Sequence, residues 1–247
     1  MDTQKLLSRL RRCVTDYKMI KDGDKIAVGL SGGKDSLALL KLLAEYRRFS
    51  PERFELVAIT VDLGFNGQAG NYDKIKAFCQ EIDVPYFIEY TQIGEIIFDA
   101  RKETNPCALC SRMRKGALYD VVTREGCNKV ALGHHADDLI DTFLLSMFYE
   151  GRLSTFAPKS YLSKTDLVMI RPMLYLKEWE LRSFTKDMPV EKSKCPADKV
   201  TKREEVKNII ATLGENIPDV REKIFTALTH PERYNLFDRY AKEIDKF

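Results

Sequence analysis

Residues Lys25 to Leu40 read KIAVGLSGGKDSLALL, and this run constrains the fold more than any other part of the chain. Ile26, Ala27, Val28 and Leu30 form a short apolar stretch of the kind that lies buried in a parallel sheet. Ser31, Gly32 and Gly33 interrupt it, and Leu37, Leu39, Leu40, Leu42 and Leu43 then supply the apolar side of a helix. Strand, glycine turn and helix start in immediate succession make an anion-binding geometry. The first N–H groups of such a helix lack intrahelical partners, and its dipole places about half a positive charge there. Glycines let backbone N–H groups approach an oxygen without a Cβ in the way. Lys34 adds a cation, and Ser31 and Ser36 add hydroxyl donors.

Two common phosphate loops are excluded. Gly33-Lys34 is followed by Asp35 rather than Ser or Thr, so the Walker A pattern fails, and GxGxxG is absent. SGGKDS instead resembles the PP-loop of the ATP pyrophosphatases. The resemblance implies an α/β, Rossmann-like parallel sheet of about five strands (HUP-type) with a helical C-terminal extension. It implies ATP, with Mg2+, cleaved between its α and β phosphates and held by Leu30, Ser31, Gly32, Gly33, Lys34, Asp35 and Ser36. Asp62 and Gly133 are expected to border the nucleotide.

Composition sets the outer limits. The chain has 247 residues, 44% of them hydrophobic, enough for one large α/β domain with an appendage. Forty basic and 37 acidic residues leave a net charge of only +3, so any nucleic-acid surface must be local. No apolar run approaches a membrane span, and the first residues lack a signal peptide's apolar region, so a cytoplasmic location without membrane contact is expected. Six cysteines in a large, non-secretory chain point to metal or catalytic use rather than disulfides.

In chain order, residues 3 to 19 carry Leu6, Leu7, Leu10, Val14 and Tyr17 at helical spacing, and Cys13 reads as a core residue. Phe54 to Asp62 reads as a second buried strand. Asp62 stands at its carboxyl end, before the glycine-rich LGFNGQAG; it either borders the ligand crevice or caps a turn. Residues 71 to 83 predict a helix with Cys79 in the core, Tyr86 to Tyr90 a third strand, and Cys127 to Gly133 a fourth. Residues 158 to 162 and 167 to 171 predict a hairpin. From Leu176 onward the chain reads helical, with Trp179 expected in the core and His230 at a helix boundary. The expected division is an N-terminal helix over 1–20, a nucleotide-binding domain over 21–175 and a helical region over 176–247.

Cys107 and Cys110 have the spacing that lets two thiolates share a metal or form a redox pair. A helix expected from about Ser111 to Glu125 would set Cys110 at its positive end, favouring thiolate. No second CxxC exists, and the remaining cysteine in a polar setting is Cys195, in KSKCPAD. Three cysteines are one short of a closed zinc site, but they suit an iron–sulfur cluster with one iron left open. CALCSRMRKGALY, KVALGHHADD and MIRPM, with the loop SGGKDS, resemble the tRNA 2-thiocytidine synthetases and, less closely, the tRNA 2-thiouridine synthetases. That resemblance implies a 4Fe-4S cluster on Cys107, Cys110 and Cys195. Asp198 stands where the 2-thiocytidine enzymes carry a later cysteine, so a relay needing a fourth thiol is not expected.

His134, His135, Asp137 and Asp138 follow the fourth strand and could hold a divalent metal or cap the next helix. The resemblance implies a catalytic aspartate here, Asp137 or Asp138, orienting the base or ligating magnesium. Arg114 or Lys115, a turn past Cys110, could place positive charge on the phosphates or the leaving AMP. Lys192, Lys194, Lys199, Lys202 and Arg203 cluster around Cys195, where a tRNA backbone or plain solvent could meet them. The expected activity is ATP-dependent sulfur transfer to the C2 of a tRNA pyrimidine, with sulfide or a cysteine desulfurase as donor and a homodimer as a further expectation. A PP-loop ligase acting without sulfur, and a cluster-binding module without ATP chemistry, are the alternatives.

Overall fold

A computed structural model describes residues 2–65, 68–100, 106–191, 195 and 202–234. The elements are α1 (Thr3–Asp16), β1 (Asp24–Gly29), α2 (Lys34–Arg47), β2 (Phe54–Asp62), α3 (Asp73–Glu81), β3 (Tyr86–Tyr90), α4 (Ile93–Glu95) continued by a π-helical turn (Ile96–Ala100), α5 (Pro106–Arg124), β4 (Lys129–Ala131), α6 (Ala136–Glu150), β5 (Lys159–Leu162), β6 (Leu167–Ile170), α7 (Glu178–Phe184), α8 (Lys202–Asn216) and α9 (Val220–Thr229).

The strands form one six-stranded sheet in the order β3-β2-β1-β4-β6-β5. It exceeds the expected five because the hairpin over 159–170 joins as its edge. β5 is antiparallel to β6, and every other pairing is parallel. Ile26, Ala27 and Val28 are fully buried, the burial that a strand covered on both faces requires. One face packs Ile26, Val28, Leu56 and Ala58 with Leu37, Leu39 and Leu40 of α2 and Leu6 and Leu10 of α1. The other packs Ala27, Val57, Ile59, Val130 and Met169 with Leu118, Val121 and Val122 of α5. Each of the Val, Leu, Ile and Met side chains among these stabilises the fold by about 1.5–3 kcal/mol on leaving water.

From β1 the chain winds outward through β2 and β3, then returns to place β4 on the other side of β1. The order of winding therefore reverses between the parallel strands β1 and β4, and a crevice opens outside their carboxyl ends. A separate small core joins Ile140 and Leu144 of α6 to Val206 and Ile210 of α8. Trp179, expected inside, is 62% exposed. α7 presents Leu181 to the core instead, and Trp179 falls on its other side. Cys13 and Cys79 are buried as expected, and burial pushes both thiols up to about 12. No helix among the described residues is long and apolar enough to cross a membrane.

Candidate active site

The loop between β1 and α2 is braced from within. The Ser36 hydroxyl accepts from the Ser31 amide at 3.1 Å and donates to the Gly33 carbonyl at 2.9 Å, and the Gly33 amide lies 3.3 Å from the Ser31 hydroxyl. Gly32 holds φ +79°, a left-handed conformation that glycine adopts without strain. No side chain caps the start of α2, where Gly33 is the N-cap, and the carboxylate in its first turn, Asp35, is paired with Lys34. The Lys34 ammonium lies 2.9 Å from Asp35 and 3.1 Å from Glu178. Burial alone would lower its pKa, but the two carboxylates hold it above the ordinary lysine value. Burial also opposes the charge of Glu178, and Lys34 reverses this, drawing the Glu178 carboxyl down to about 2.

β4 closes the other wall. A Cβ on Gly133 would lie 3.0 Å from the Asp35 carbonyl carbon and oxygen and 3.1 Å from the Ser36 amide, so only glycine lets the strand end pass this close to the loop. Beyond it, Asp138 accepts from the His135 amide at 3.0 Å and so caps α6. Asp137 instead accepts from the Glu178 amide at 2.7 Å and so serves the start of α7. Their remaining oxygens take Arg203, 3.0 Å from Asp138, and Arg221, 3.1 Å from Asp137. By contrast, Asp35 Oδ1 is buried without a hydrogen-bond partner, as are His134 Nδ1 and His135 Nδ1. Burial, with Arg171 and Arg203 nearby outweighing Asp138, lowers His134 to about 4, so the ring is neutral near pH 7. These orphaned polar atoms at the carboxyl edge of the sheet mark a site shaped for polar occupants.

Asp62 is 5% exposed and accepts from Gly64 at 3.0 Å and Gly70 at 2.7 Å, so it caps its loop. It also lines a cavity of about 190 Å3 with Gly64, Gln68, Ala69, Tyr90 and Thr91, to which the phosphate loop contributes no residue, so the capping reading is the one these contacts carry.

The thiol side is built differently. α5 starts at Pro106 rather than near Ser111, so Cys107 and Cys110 both lie within it, three residues apart and on one face. Burial pushes the Cys110 thiol up and outweighs the expected helix-end effect; Arg114 pulls it down, and the thiols of Cys195 and Cys107 push it up. Both of these thiols therefore lie near enough to Cys110 to bear on it. Cys107 is exposed, while Cys110 and Cys195 are half-buried. As they stand, no three His, Cys, Asp or Glu side chains among the described residues are arranged to hold a metal ion. Arg114 and Lys115 are exposed on α5. Of the basic patch, Lys202 lies over the Tyr149 ring and Arg203 turns inward to Asp138, while Lys192, Lys194 and Lys199 lie outside the described residues. Glu178, Glu191 and Arg221 were not singled out from sequence; no local motif marks them, since each meets its partner through the fold.

A profile of the PP-loop domain family matches residues 3–211. The tRNA-cytidine(32) 2-sulfurtransferase of Pelobacter propionicus is 38% identical over 95% of this chain and 90% of its own. That of Syntrophotalea carbinolica is 37% identical over 94% and 91%. Among solved structures, the U34-tRNA thiolase NcsA from Methanococcus maripaludis, described with its [4Fe-4S] cluster, superposes with a TM-score of 0.72 at 26% identity, covering 96% of this chain and 82% of that one. The NAD+ synthetase of Burkholderia pseudomallei, at 16% identity and a TM-score of 0.52 over 94% and 90% of the two chains, shares the fold. With a phosphate loop, a glycine-fitted second wall and relatives matched nearly end to end, this chain belongs to the PP-loop family, within the group of the tRNA-cytidine 2-sulfurtransferases.

Proposed function

We propose that the protein is an ATP-dependent tRNA sulfurtransferase that replaces the C2 oxygen of a cytidine with sulfur. The observation that carries this reading is the meeting of an uncapped, lysine-bearing phosphate loop with β4 at the switch point, in a chain whose Cys107 and Cys195 thiols both bear on Cys110. Amide-like carbon holds its oxygen tightly, so the oxygen must first become a leaving group. The C2 oxygen attacks the α-phosphorus of ATP, pyrophosphate departs, and a sulfur nucleophile at C2 then expels AMP with that oxygen. The start of α2 and Lys34 oppose the phosphate charge during the first step, which lowers its barrier. Asp35, whose buried Oδ1 makes no hydrogen bond and has only the His135 ring at 3.7 Å, would hold Mg2+, joined by Asp138 or Asp137 once Arg203 or Arg221 yields its carboxylate. The neutral His134 adds no competing cation.

Cys107, Cys110 and Cys195 are the residues that would hold a 4Fe-4S cluster; when bound, it supplies sulfide at its fourth iron. An all-thiol set suits iron, and Arg114 beside Cys110 favours the thiolate that ligation needs. Arg114 and Lys115 stand ready for the tRNA or the leaving AMP. The target base must leave its stack, which costs a few kcal/mol in a helix and little in a loop. Sulfide is the donor, free or released by a thiol reductant from the persulfide of a cysteine desulfurase, and the enzyme meets tRNA in the cytoplasm. Homodimerisation is proposed alongside and is read from elution volume.

Anaerobic purification should give a brown protein that forms 2-thiocytidine in tRNA only with ATP and sulfide present, as nucleoside mass spectrometry detects. Ser36→Ala should keep the colour and lose about a hundredfold in pyrophosphate release, since the brace on the phosphate donors goes. A colourless protein that consumes ATP on tRNA without forming 2-thiocytidine, and does so unchanged after alanine replaces all three cysteines, would select the sulfur-free ligase instead.

A further inference from the structure

The segment from Glu178 to Glu191 crosses the phosphate loop and touches it at both ends. At one end the Glu178 carboxylate lies 3.1 Å from the Lys34 ammonium. At the other the Glu191 amide donates to the Gly32 carbonyl at 2.9 Å, and its Cβ lies 3.5 Å from where a Gly32 Cβ would stand. Between them Leu181 and Thr185 are buried, so the segment is fastened to the domain rather than draped on it. In a trans peptide the carbonyl of one residue and the N–H of the next point in opposite directions. Fixing the Gly32 carbonyl toward Glu191 therefore fixes the Gly33 N–H on the side of the peptide away from Glu191, where it now donates to the Ser31 hydroxyl at 3.3 Å. Glycine at Gly32, with φ +79° and no side chain, could otherwise turn this peptide at little cost. Four residues beyond Glu191 stands Cys195, whose thiol bears on Cys110.

We propose that the main-chain N–H of Glu191 is a positioning group: it aims the Gly33 donor at the nucleotide phosphates and couples their occupancy to the place of Cys195. A phosphate that draws on Gly33 and Lys34 holds the Gly32 peptide and with it Glu191, four residues before Cys195. Linkage makes the effect reciprocal, so cluster and nucleotide favour each other by one common factor, on the order of fivefold. The cluster half of this inference rests on the function proposed above.

The test uses the full chain, reconstituted anaerobically, and an ATP analogue that resists cleavage between its α and β phosphates. Iron loss to a chelator is followed by bleaching, with and without saturating analogue, and the analogue Kd is measured with and without cluster. In the unsubstituted protein and in Glu191→Gln, which keeps the amide, the analogue should slow bleaching about fivefold and bind about fivefold tighter to the loaded protein. Glu191→Pro, which lacks the N–H, should lose both effects and weaken analogue binding even in cluster-free protein. Nucleotide-independent iron loss with equal Kd values in the unsubstituted protein would overturn the coupling, whatever the proline variant does. A Kd for cluster-free Glu191→Pro equal to that of Glu191→Gln would overturn the positioning role. A protein that takes up no iron is a different result: it removes the proposed cluster and leaves the cluster-free Kd comparison to decide on Glu191.

Discussion

The phosphate loop and the thiol trio are two halves of one proposed site, yet they are built on opposite plans. Around Ser31 to Ser36 every element is pre-set: two serines brace the turn, Gly133 leaves the Asp35 backbone room that a Cβ would take, and two sheet faces bury the flanking strands. Around Cys107, Cys110 and Cys195 little is pre-set: one thiol is exposed, the others are half-buried, and no metal-binding group is closed among the described residues. The physical reason is the source of the energy. A backbone cradle is held by hydrophobic burial and internal hydrogen bonds before any ligand arrives. Thiolates gathered without a metal would repel one another, so the bond energy of the metal itself must close such a site.

This contrast can be broken at several points. The largest expected effect is on the thiol side: Cys195→Ala should abolish cluster colour and thiolation while the nucleotide still binds, its affinity lowered only by the coupling factor. Complete loss of nucleotide binding in that variant would show the halves to be one structural unit. Next is acid sensitivity, which should lie on the nucleotide side. Unfolded His134 gains its proton below about pH 6.5, whereas the folded ring stays neutral to about 4. The unfolded state therefore binds more protons across that window, so stability is full above it and falls by about 3 kcal/mol as the pH drops through it. Denaturant melts of cluster-free protein measure this, and His134→Gln should flatten that part of the profile. A smaller effect is expected from Gly133→Ala, whose new methyl presses on the Asp35 and Ser36 backbone. Analogue affinity should fall about tenfold and stability by about 1–3 kcal/mol, with the cluster retained. Smallest is a difference in alkylation rate: in cluster-free protein exposed Cys107 should label several-fold faster than Cys110, whose thiol burial holds up, and Arg114→Ala should slow Cys110 further. Equal rates would mean that the trio shares one environment.

The halves also differ in how far the sequence discloses them. Strand, turn and helix of the phosphate loop are contiguous, so their spacing alone announces the geometry, and the strands at 54–62 and 86–90 fall where expected. The start of α5 is five residues earlier than expected, because Pro106 suits a first helical turn and nothing between Cys107 and Cys110 interrupts it. Trp179 misleads because a large apolar residue in a short helix implies burial, whereas α7 turns Leu181 inward and leaves the indole in solvent. Asp137 and Asp138 are adjacent and chemically identical, so local reasoning cannot separate a cap for α6 from one for α7.

By itself the sequence determined the α/β sheet, the loop that receives a triphosphate, the three cysteines and the order in which they meet the strands. These are local or periodic properties, written in spacing and side-chain type. Only the tertiary structure decided that Glu178 meets Lys34, that Arg203 and Arg221 claim the two aspartates, and that Glu191 steadies Gly32. Those contacts join residues that chain distance keeps apart, and they exist only because packing of the helices against one sheet brings their backbones within hydrogen-bond reach.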